Sequence, residues 1–137
     1  RRPPTSRSPC DLRAMSGQQS SRGLLVICRK SAWQASSAAA LELAMTAGVF
    51  EVPVSLLLLG EAVLQLLPNQ QGMPLQLKSV ARQLPVLELC GVGEILADAE
   101  ALARYAIAVE SCEVSVHALP PAELADLLAR QHNVLVF

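Results

Sequence analysis

The chain is poor in aromatic side chains and carries almost no excess charge. Among its 137 residues there are one Trp, one Tyr and two Phe, and the net charge at neutral pH is −1. Small nucleic-acid-binding modules rely on a basic face or on aromatic rings that stack on bases. The composition therefore argues against a chain that binds nucleic acid directly and on its own.

The sequence also lacks an apolar run long enough to cross a bilayer. The longest run, Val54–Leu59, contains a Ser, whereas a membrane-spanning helix needs about 20 apolar residues. Residues 1–22 are rich in Arg, Ser, Pro and Gln and have no apolar stretch, unlike a secretory signal. We interpret residues 1–22 as a disordered N-terminal extension. Met15, followed by Ser-Gly-Gln-Gln, is typical of a chain start, and we interpret residues 1–14 as either an upstream extension or a remnant of cloning.

Signatures of metal and nucleotide binding are missing as well. The four cysteines, Cys10, Cys28, Cys90 and Cys112, form no Cys-x-x-Cys pair, and no His is spaced for zinc. The segment Gly91-Val92-Gly93 lacks the third glycine of a dinucleotide fingerprint. The sequence therefore predicts no metal and no cofactor, and free thiols in a reducing cytoplasm.

What the sequence does contain is a large apolar fraction arranged as alternating strands and helices. Apolar residues make up 52% of the chain and charged residues 17%, typical of a globular protein. Short apolar runs predict strands at residues 24–28, 52–59, 94–97, 114–118 and 133–137, separated by helices at 36–47, 74–84, 99–106 and from 121 onward. Such alternation predicts an α/β fold, a mostly parallel sheet of about five strands with helices on both faces.

Several helix ends carry residues that favour a boundary. Ser36 or Ser37 is suited to cap the first helix, and Gly48 is suited to end it. Asp98 is suited to cap the helix after the third strand. Pro85 is expected to stop the second helix at residue 84.

Two cysteines are candidates for thiol chemistry. Cys90 stands before a Gly-rich turn, and Cys112 precedes the fourth predicted strand. A reactive thiol needs a nearby cation or a helix N-terminus to lower its pKa, and the nearest cation to Cys90 in sequence is Arg82. Two interpretations stay open: Cys90 and Cys112 are auxiliary thiols, or they are small apolar residues that fill space.

The segment Gly60–Gln70 follows the second predicted strand, at the sheet edge where α/β folds place their working loops. Its amides can form several hydrogen bonds without the cost of burying a charge. We therefore predict an interface or the rim of a site, with packing in the core as the alternative. The residues concerned are Leu64, Gln65, Leu66, Leu67, Asn69 and Gln70.

The same segment, which reads GEAVLQLLPNQ, resembles a stretch of the DsrE/DsrF-like sulfur-relay proteins, in particular the TusC/DsrF branch. The apolar run 84–89 follows it at the expected interval, and the ending Asn133–Phe137 is similar to the ending of that branch. The resemblance implies a three-layer αβα sandwich of the flavodoxin-like type, a DsrE/DsrF-like domain over residues 23–137.

The resemblance also implies a cytoplasmic role in persulfide transfer for 2-thiolation of the wobble uridine of tRNA. In that system a TusC-like subunit assembles with TusB-like and TusD-like partners, as a hexamer, into a sulfurtransferase complex. The TusD-like subunit carries the relay Cys near the start of the helix after the third strand, where this chain has Asp98 and no Cys. The chain is therefore expected to be a non-catalytic structural subunit. Two alternatives are a DsrF-like subunit of a dissimilatory sulfur-oxidation complex and a thiol carrier that uses Cys90 or Cys112.

Overall fold

The apolar runs of the sequence form the strands of one parallel sheet. The computed structural model describes residues 23–67 and 80–137. The predictions for residues 1–22 and for the start of the second helix near residue 74 lie outside the described residues. In chain order the elements are β1 (Leu24–Cys28), α1 (Ala35–Val49), β2 (Val54–Leu58), a first 3-10 helix (Gly60–Leu66), α2 (Val80–Leu89), β3 (Val92–Asp98), α3 (Ala99–Arg104), a second 3-10 helix (Val109–Ser111), β4 (Val116–Leu119), α4 (Pro121–Arg130) and β5 (Asn133–Val136).

The sheet has the strand order β4-β3-β2-β1-β5, and every neighbouring pair is parallel. Parallel pairing follows from the helical crossovers, each of which returns the chain to the edge where the previous strand began. The predicted α/β fold with a five-stranded, mostly parallel sheet is confirmed. Because the strands all run the same way, their carboxyl ends meet at one edge.

Helices cover both faces of the sheet. On one face α1, α2, α3 and the first 3-10 helix enclose the larger core, which includes Val26 and Leu56 of the central strands. On the other face Leu124 and Leu127 of α4 pack against a smaller core. That smaller core consists of Leu25, Ile27, Leu57 and Leu96. Alternate residues of β1 thus enter different cores, as expected for a strand buried on both sides.

Gly48 allows α1 to approach the turn between α2 and β3. Its backbone lies against Cys90 and Gly91, and a Cβ on Gly48 would overlap the carbonyl oxygen of Cys90. Helix α1 continues to Val49, so the prediction that Gly48 ends the helix through a glycine cap is wrong. The glycine is needed for close backbone approach instead.

Ser37 does not cap α1. The helix begins at Ala35, after an N-cap residue, Gln34, that makes no side-chain cap hydrogen bond. The Ser37 hydroxyl lies 2.9 Å from the carbonyl oxygen of Lys30 and 2.8 Å from that of Ser31. It therefore serves the loop before the helix, and the prediction of Ser36 or Ser37 as the cap is wrong.

Pro85 does not stop α2, which runs on to Leu89 with the proline inside it. A proline in a helix interior removes one backbone hydrogen bond and costs about 3 kcal/mol. Leu84 and Leu87, on either side of it, are both buried in the larger core. Their burial offsets the missing hydrogen bond, and the predicted end at residue 84 is wrong.

Strand β3 is longer than the predicted strand over residues 94–97 because it pairs with a neighbour on each side. Val54 of β2 pairs with Val92, but Ser55 pairs with Glu94, so Gly93 is an extra residue in the ladder. This is the pattern of a β-bulge.

No helix within the described residues is long and apolar enough to cross a membrane.

We expect Gly48→Ala to lower the free energy of unfolding by about 1–3 kcal/mol, because the added methyl group must displace the backbone of Cys90. Helix propensity alone would predict the opposite sign, since Ala is favoured over Gly in a helix. Urea denaturation measures the difference. Gly93→Ala is the matched control, because a Cβ there would meet its nearest atom at an ordinary 3.7 Å. Equal stability of the two variants would contradict the close-approach explanation.

Candidate functional site

An open pocket of about 630 Å³ lies at the carboxyl edge of the sheet, on the face covered by α4. The ends of β1, β2, β3 and β5 contribute to it. Its apolar lining is Ile27, Leu59, Leu124 and Val136, and its remaining lining is Arg29, Lys30, Gly60, Glu61 and Asp98. The pocket therefore stands where an α/β sheet places its binding site.

The charged lining of the pocket contains both signs. Arg29 and Lys30 follow β1 and are exposed, whereas Glu61 and Asp98 are half-buried. Among the described residues no ion pair neutralises Arg29 or Lys30. The pocket consequently offers two cations and two carboxylates to a ligand or partner that carries groups of both signs.

A buried polar cluster lies behind the loop that follows β1, on the opposite face of the sheet. The Nε2 atom of Gln65 donates to the carbonyl oxygen of Lys30 at 2.8 Å and lies 3.2 Å from the Sγ atom of Cys28. The Ser37 hydroxyl lies 3.5 Å from the same sulfur. All three side chains are buried. The cluster therefore ties β1, α1 and the first 3-10 helix to one backbone carbonyl.

The orientation of the Gln65 amide follows from this geometry. A carbonyl oxygen needs a donor, so the NH₂ group and not the amide oxygen must face Lys30. The Oε1 atom of Gln65 is then buried without a hydrogen-bond partner in the part of the chain that the structure describes. An unpartnered buried oxygen is uncommon in native proteins and costs about 1–3 kcal/mol.

The predicted interface segment is divided between the core and the surface. Gln65 and Leu66 are buried, Leu64 is half-buried, and Leu67 is 36% exposed. Asn69 and Gln70 lie outside the described residues. Of this segment, Leu67 and part of Leu64 are therefore placed to meet another chain.

Asp98 caps α3, as predicted. Its Oδ1 atom accepts a hydrogen bond from the backbone N–H of Glu100 at 3.0 Å. The carboxylate is half-buried and belongs to the pocket lining. Asp98 thus combines a structural role in the helix with a place at the candidate site.

The described cysteines are distributed over both edges of the sheet. Cys28 is buried in the polar cluster at the carboxyl edge. Cys90 is half-buried in the turn before β3, at the amino edge. Cys112 is half-buried between the second 3-10 helix and β4. Burial raises the pKa of the Cys112 thiol above its ordinary value, and the negative charge of Glu110 adds to that rise. Neither half-buried thiol belongs to the pocket lining.

Sequence reasoning missed the polar cluster and the cationic wall of the pocket. The signal for the wall was the dipeptide Arg29-Lys30 directly after an apolar strand, since that position falls at the carboxyl edge. The link between Gln65 and Lys30 joins residues far apart in the chain and carries no local signal.

In the described ranges, 23–67 and 80–137, no group of three His, Cys, Asp or Glu side chains could hold a metal ion.

Comparison with known proteins decides the family. The family model for DsrE/DsrF-like proteins matches residues 23–137. The chain belongs to the DsrE/DsrF-like family. The resemblance inferred from the segment Gly60–Gln70 is thereby confirmed.

One curated protein is similar to this DsrE/DsrF-like chain in sequence, and one solved structure is similar to it in fold. It is 35% identical over 116 residues to the Protein TusC homolog of Pseudomonas aeruginosa, a match that covers 84% of this chain and 98% of that protein. The crystal structure of the YchN protein from E. coli has a similar fold, with a TM-score of 0.74 and 18% identity, covering 85% of this chain and 99% of that one. The family and the TusC relative together support a subunit of a sulfur-relay system.

We expect Cys112 to react slowly with iodoacetamide near neutral pH. Only the thiolate reacts with iodoacetamide. Because the pKa of the Cys112 thiol is raised, the thiol stays protonated to a higher pH than an ordinary cysteine does. Mass spectrometry of labelled peptides over a pH series measures the rate. Glu110→Gln should accelerate the reaction only modestly, because burial is the larger cause of the raised pKa. The urea-unfolded chain is the reference, and a folded-state rate equal to it at neutral pH would contradict the expectation.

Proposed function

We propose that this chain is a non-catalytic structural subunit of a cytoplasmic TusBCD-like hetero-oligomer, a hexamer by resemblance. The complex would support persulfide transfer for the 2-thiolation of the wobble uridine of tRNA. TusB-like and TusD-like subunits are its partners in this proposal, and it uses no cofactor and binds no tRNA by itself. The 35% identity to a TusC homolog favours this branch over a DsrF-like subunit of a sulfur-oxidation complex.

The side chain at position 98 carries the proposal. The resemblance puts the relay Cys of the TusD-like subunit near the start of the helix after the third strand. Near that position this chain has Asp98, whose carboxylate caps α3 beside the pocket. A carboxylate has no sulfur atom with which to form a persulfide. In this proposal the chain keeps the helix boundary of the relay site without its reactive group.

The remaining thiols of the described residues do not replace the missing one. Cys28 is buried and in contact with Gln65 and Ser37. Cys90 lies at the amino edge of the sheet, away from the pocket at the carboxyl edge. The raised pKa of Cys112 leaves little thiolate at neutral pH. These placements support a structural subunit over a thiol carrier.

We expect the double variant Cys90→Ala, Cys112→Ala to leave sulfur transfer within about twofold of the wild type, because neither thiol takes part in the transition state. The assay is the 2-thiouridine content of tRNA from cells that co-express the chain with TusB-like and TusD-like partners. Removal of the partner's relay Cys is the control that should abolish transfer.

Native mass spectrometry of the co-expressed chains checks the assembly itself. A hetero-oligomer that contains this chain supports the proposal, whereas a chain that binds neither partner contradicts it. Loss of transfer in Cys90→Ala, with the complex intact, would instead establish the thiol carrier.

The segment that begins at Leu64 enters the proposal as part of an interface. Leu67 is 36% exposed, and Leu64 is half-buried beside it. Gln65 and Leu66 are buried, so their part is to fix the shape of the segment from within. An exposed Leu next to a rigid helical turn suits the apolar centre of a contact between subunits.

We expect Leu67→Asp to weaken assembly about tenfold or more, because a charge would be buried without a partner in the interface. The free energy of unfolding of the chain alone should change by less than about 0.5 kcal/mol, as for other surface substitutions. Leu66→Asp is the matched comparison: its side chain is only 4% exposed, so it should unfold the chain. Titration by native mass spectrometry and urea denaturation separate the two effects. Normal assembly of Leu67→Asp would exclude this part of the interface.

A further inference from the structure

The loop of residues 29–34, which joins β1 to α1, is fixed although it has no regular structure. The carbonyl oxygen of Lys30 accepts from Gln65 at 2.8 Å and lies 2.9 Å from the Ser37 hydroxyl. The carbonyl oxygen of Ser31 lies 2.8 Å from the same hydroxyl. We refer to residues 29–34 as the recognition loop. Two buried side chains thus hold its backbone from the inner side.

Both ends of the recognition loop are anchored as well. The backbone N–H of Arg29 donates to the carbonyl oxygen of Phe137 at 3.0 Å, which extends the β1–β5 ladder into the loop. The N–H of Gln34 donates to the carbonyl oxygen of Ser31 at 3.2 Å, which closes a turn before α1. Hydrogen bonds therefore anchor the loop at both ends as well as from its inner side.

The amide of Gln65 is costly for a residue whose role would be packing alone. The side chain is 0% exposed, and its Oε1 atom has no hydrogen-bond partner among the described residues. Leu has a similar volume and would fill the same space without burying an unpartnered oxygen. The group that only Gln supplies here is the N–H donor to the loop. The side chain is therefore explained by the conformation of the loop.

The recognition loop presents side chains that are common at the centres of protein interfaces. Trp33 is 47% exposed, and Arg29 and Lys30 are exposed without an ion pair to any described residue. Trp and Arg are the residues most enriched among those that dominate binding energy. A loop held in its bound conformation also loses less entropy on binding.

We propose that Gln65 is a positioning residue that holds the recognition loop ready for a partner subunit. That partner offers carboxylates to Arg29 and Lys30 and an apolar surface to Trp33. The inference rests on the proposed function, because the partner is taken to be the TusB-like or the TusD-like subunit. It extends that function by naming the element that recognises the partner and the residue that sets its geometry.

A protein partner fits this surface better than RNA does. Glu61 and Asp98 line the same pocket as Arg29 and Lys30, and their carboxylates repel phosphate groups. The chain as a whole has a net charge of −1, so no general attraction for a nucleic acid offsets that repulsion. A protein surface can meet both signs of charge, as the pocket requires.

Fluorescence tests the positioning role directly, because Trp33 is the single Trp of the chain. Gln65→Leu should shift the Trp33 emission to longer wavelength and raise its quenching by iodide, while far-ultraviolet circular dichroism stays unchanged. Gln83→Leu is the matched control, since it removes another buried amide oxygen, on α2. Unchanged emission and quenching in Gln65→Leu would overturn the positioning role.

Affinity for the co-purified TusB-like and TusD-like partners tests the recognition role. Gln65→Leu, Arg29→Ala and Trp33→Ala should each raise the Kd at least about tenfold, and Gln83→Leu should not. If the hetero-oligomer forms and none of the three variants changes its Kd, this inference is overturned and the proposed function is unaffected. A wild-type chain that binds neither partner overturns both. If the three variants assemble normally but the complex binds tRNA more weakly, the loop recognises RNA, and the proposal of a protein partner is overturned.

The variant Gln65→Glu distinguishes positioning from packing, because its affinity for the partner should depend on pH. It also provides a test if Gln65→Leu fails to fold. A buried carboxylate facing the carbonyl oxygen of Lys30 cannot donate, but the protonated acid can, and burial raises the pKa of such a group. The titratable neighbour in contact with position 65 is the thiol of Cys28. The Kd of this variant, relative to the wild type at each pH, should recover as the pH falls from about 8 to about 5.5. A ratio that does not change with pH would overturn the positioning role.

Discussion

Burial of β1 and β2 on both faces is the constraint on which the rest of this structure depends. Nine of the ten residues of these strands are apolar or Cys, and they supply both cores. Strands of this kind need helices on each side, and crossover helices make neighbouring strands parallel. Parallel strands then bring all their carboxyl ends together. The pocket, the recognition loop and Asp98 share one edge of the sheet for this reason.

At that edge, Lys30 contributes to the structure on both faces of the sheet. Gln65 and Ser37 approach the carbonyl oxygen of Lys30 from the α1 side, whereas Lys30 also lines the pocket on the α4 side. Gln65, in the segment on which the family resemblance was based, is therefore a buried residue behind a charged surface. Among the described residues of that segment, Leu67 is exposed and Gly60, Glu61 and Leu64 are half-buried.

The sequence predicted the features of this chain that depend on local composition. The strand Leu24–Cys28 is five residues that are all apolar or Cys, and it was predicted with its observed bounds. Asp98 was predicted as a cap because an N-cap hydrogen bond spans only two residues. The failures share a tertiary cause. Pro85 stays in its helix because Leu84 and Leu87 are buried around it, and Ser37 turns to loop carbonyls that only the folded chain places beside it. The burial of Gln65 has a tertiary cause too: the residue was predicted at an interface or a site rim, with packing in the core as the alternative, and its hydrogen-bond partner is distant in sequence.

Strand β5 has a consequence for how this chain behaves in concentrated solution. Its residues are exposed, and Val134, Leu135 and Val136 present apolar side chains at the edge of the sheet, where no further strand of the described residues pairs with β5. Natural edge strands usually carry a charge, a proline or a covering loop that prevents pairing with a strand of another molecule. β5 carries neither a charge nor a proline among its own residues, and its length of four residues limits such pairing. Purified without a protein that covers this edge, the chain is expected to self-associate as its concentration rises.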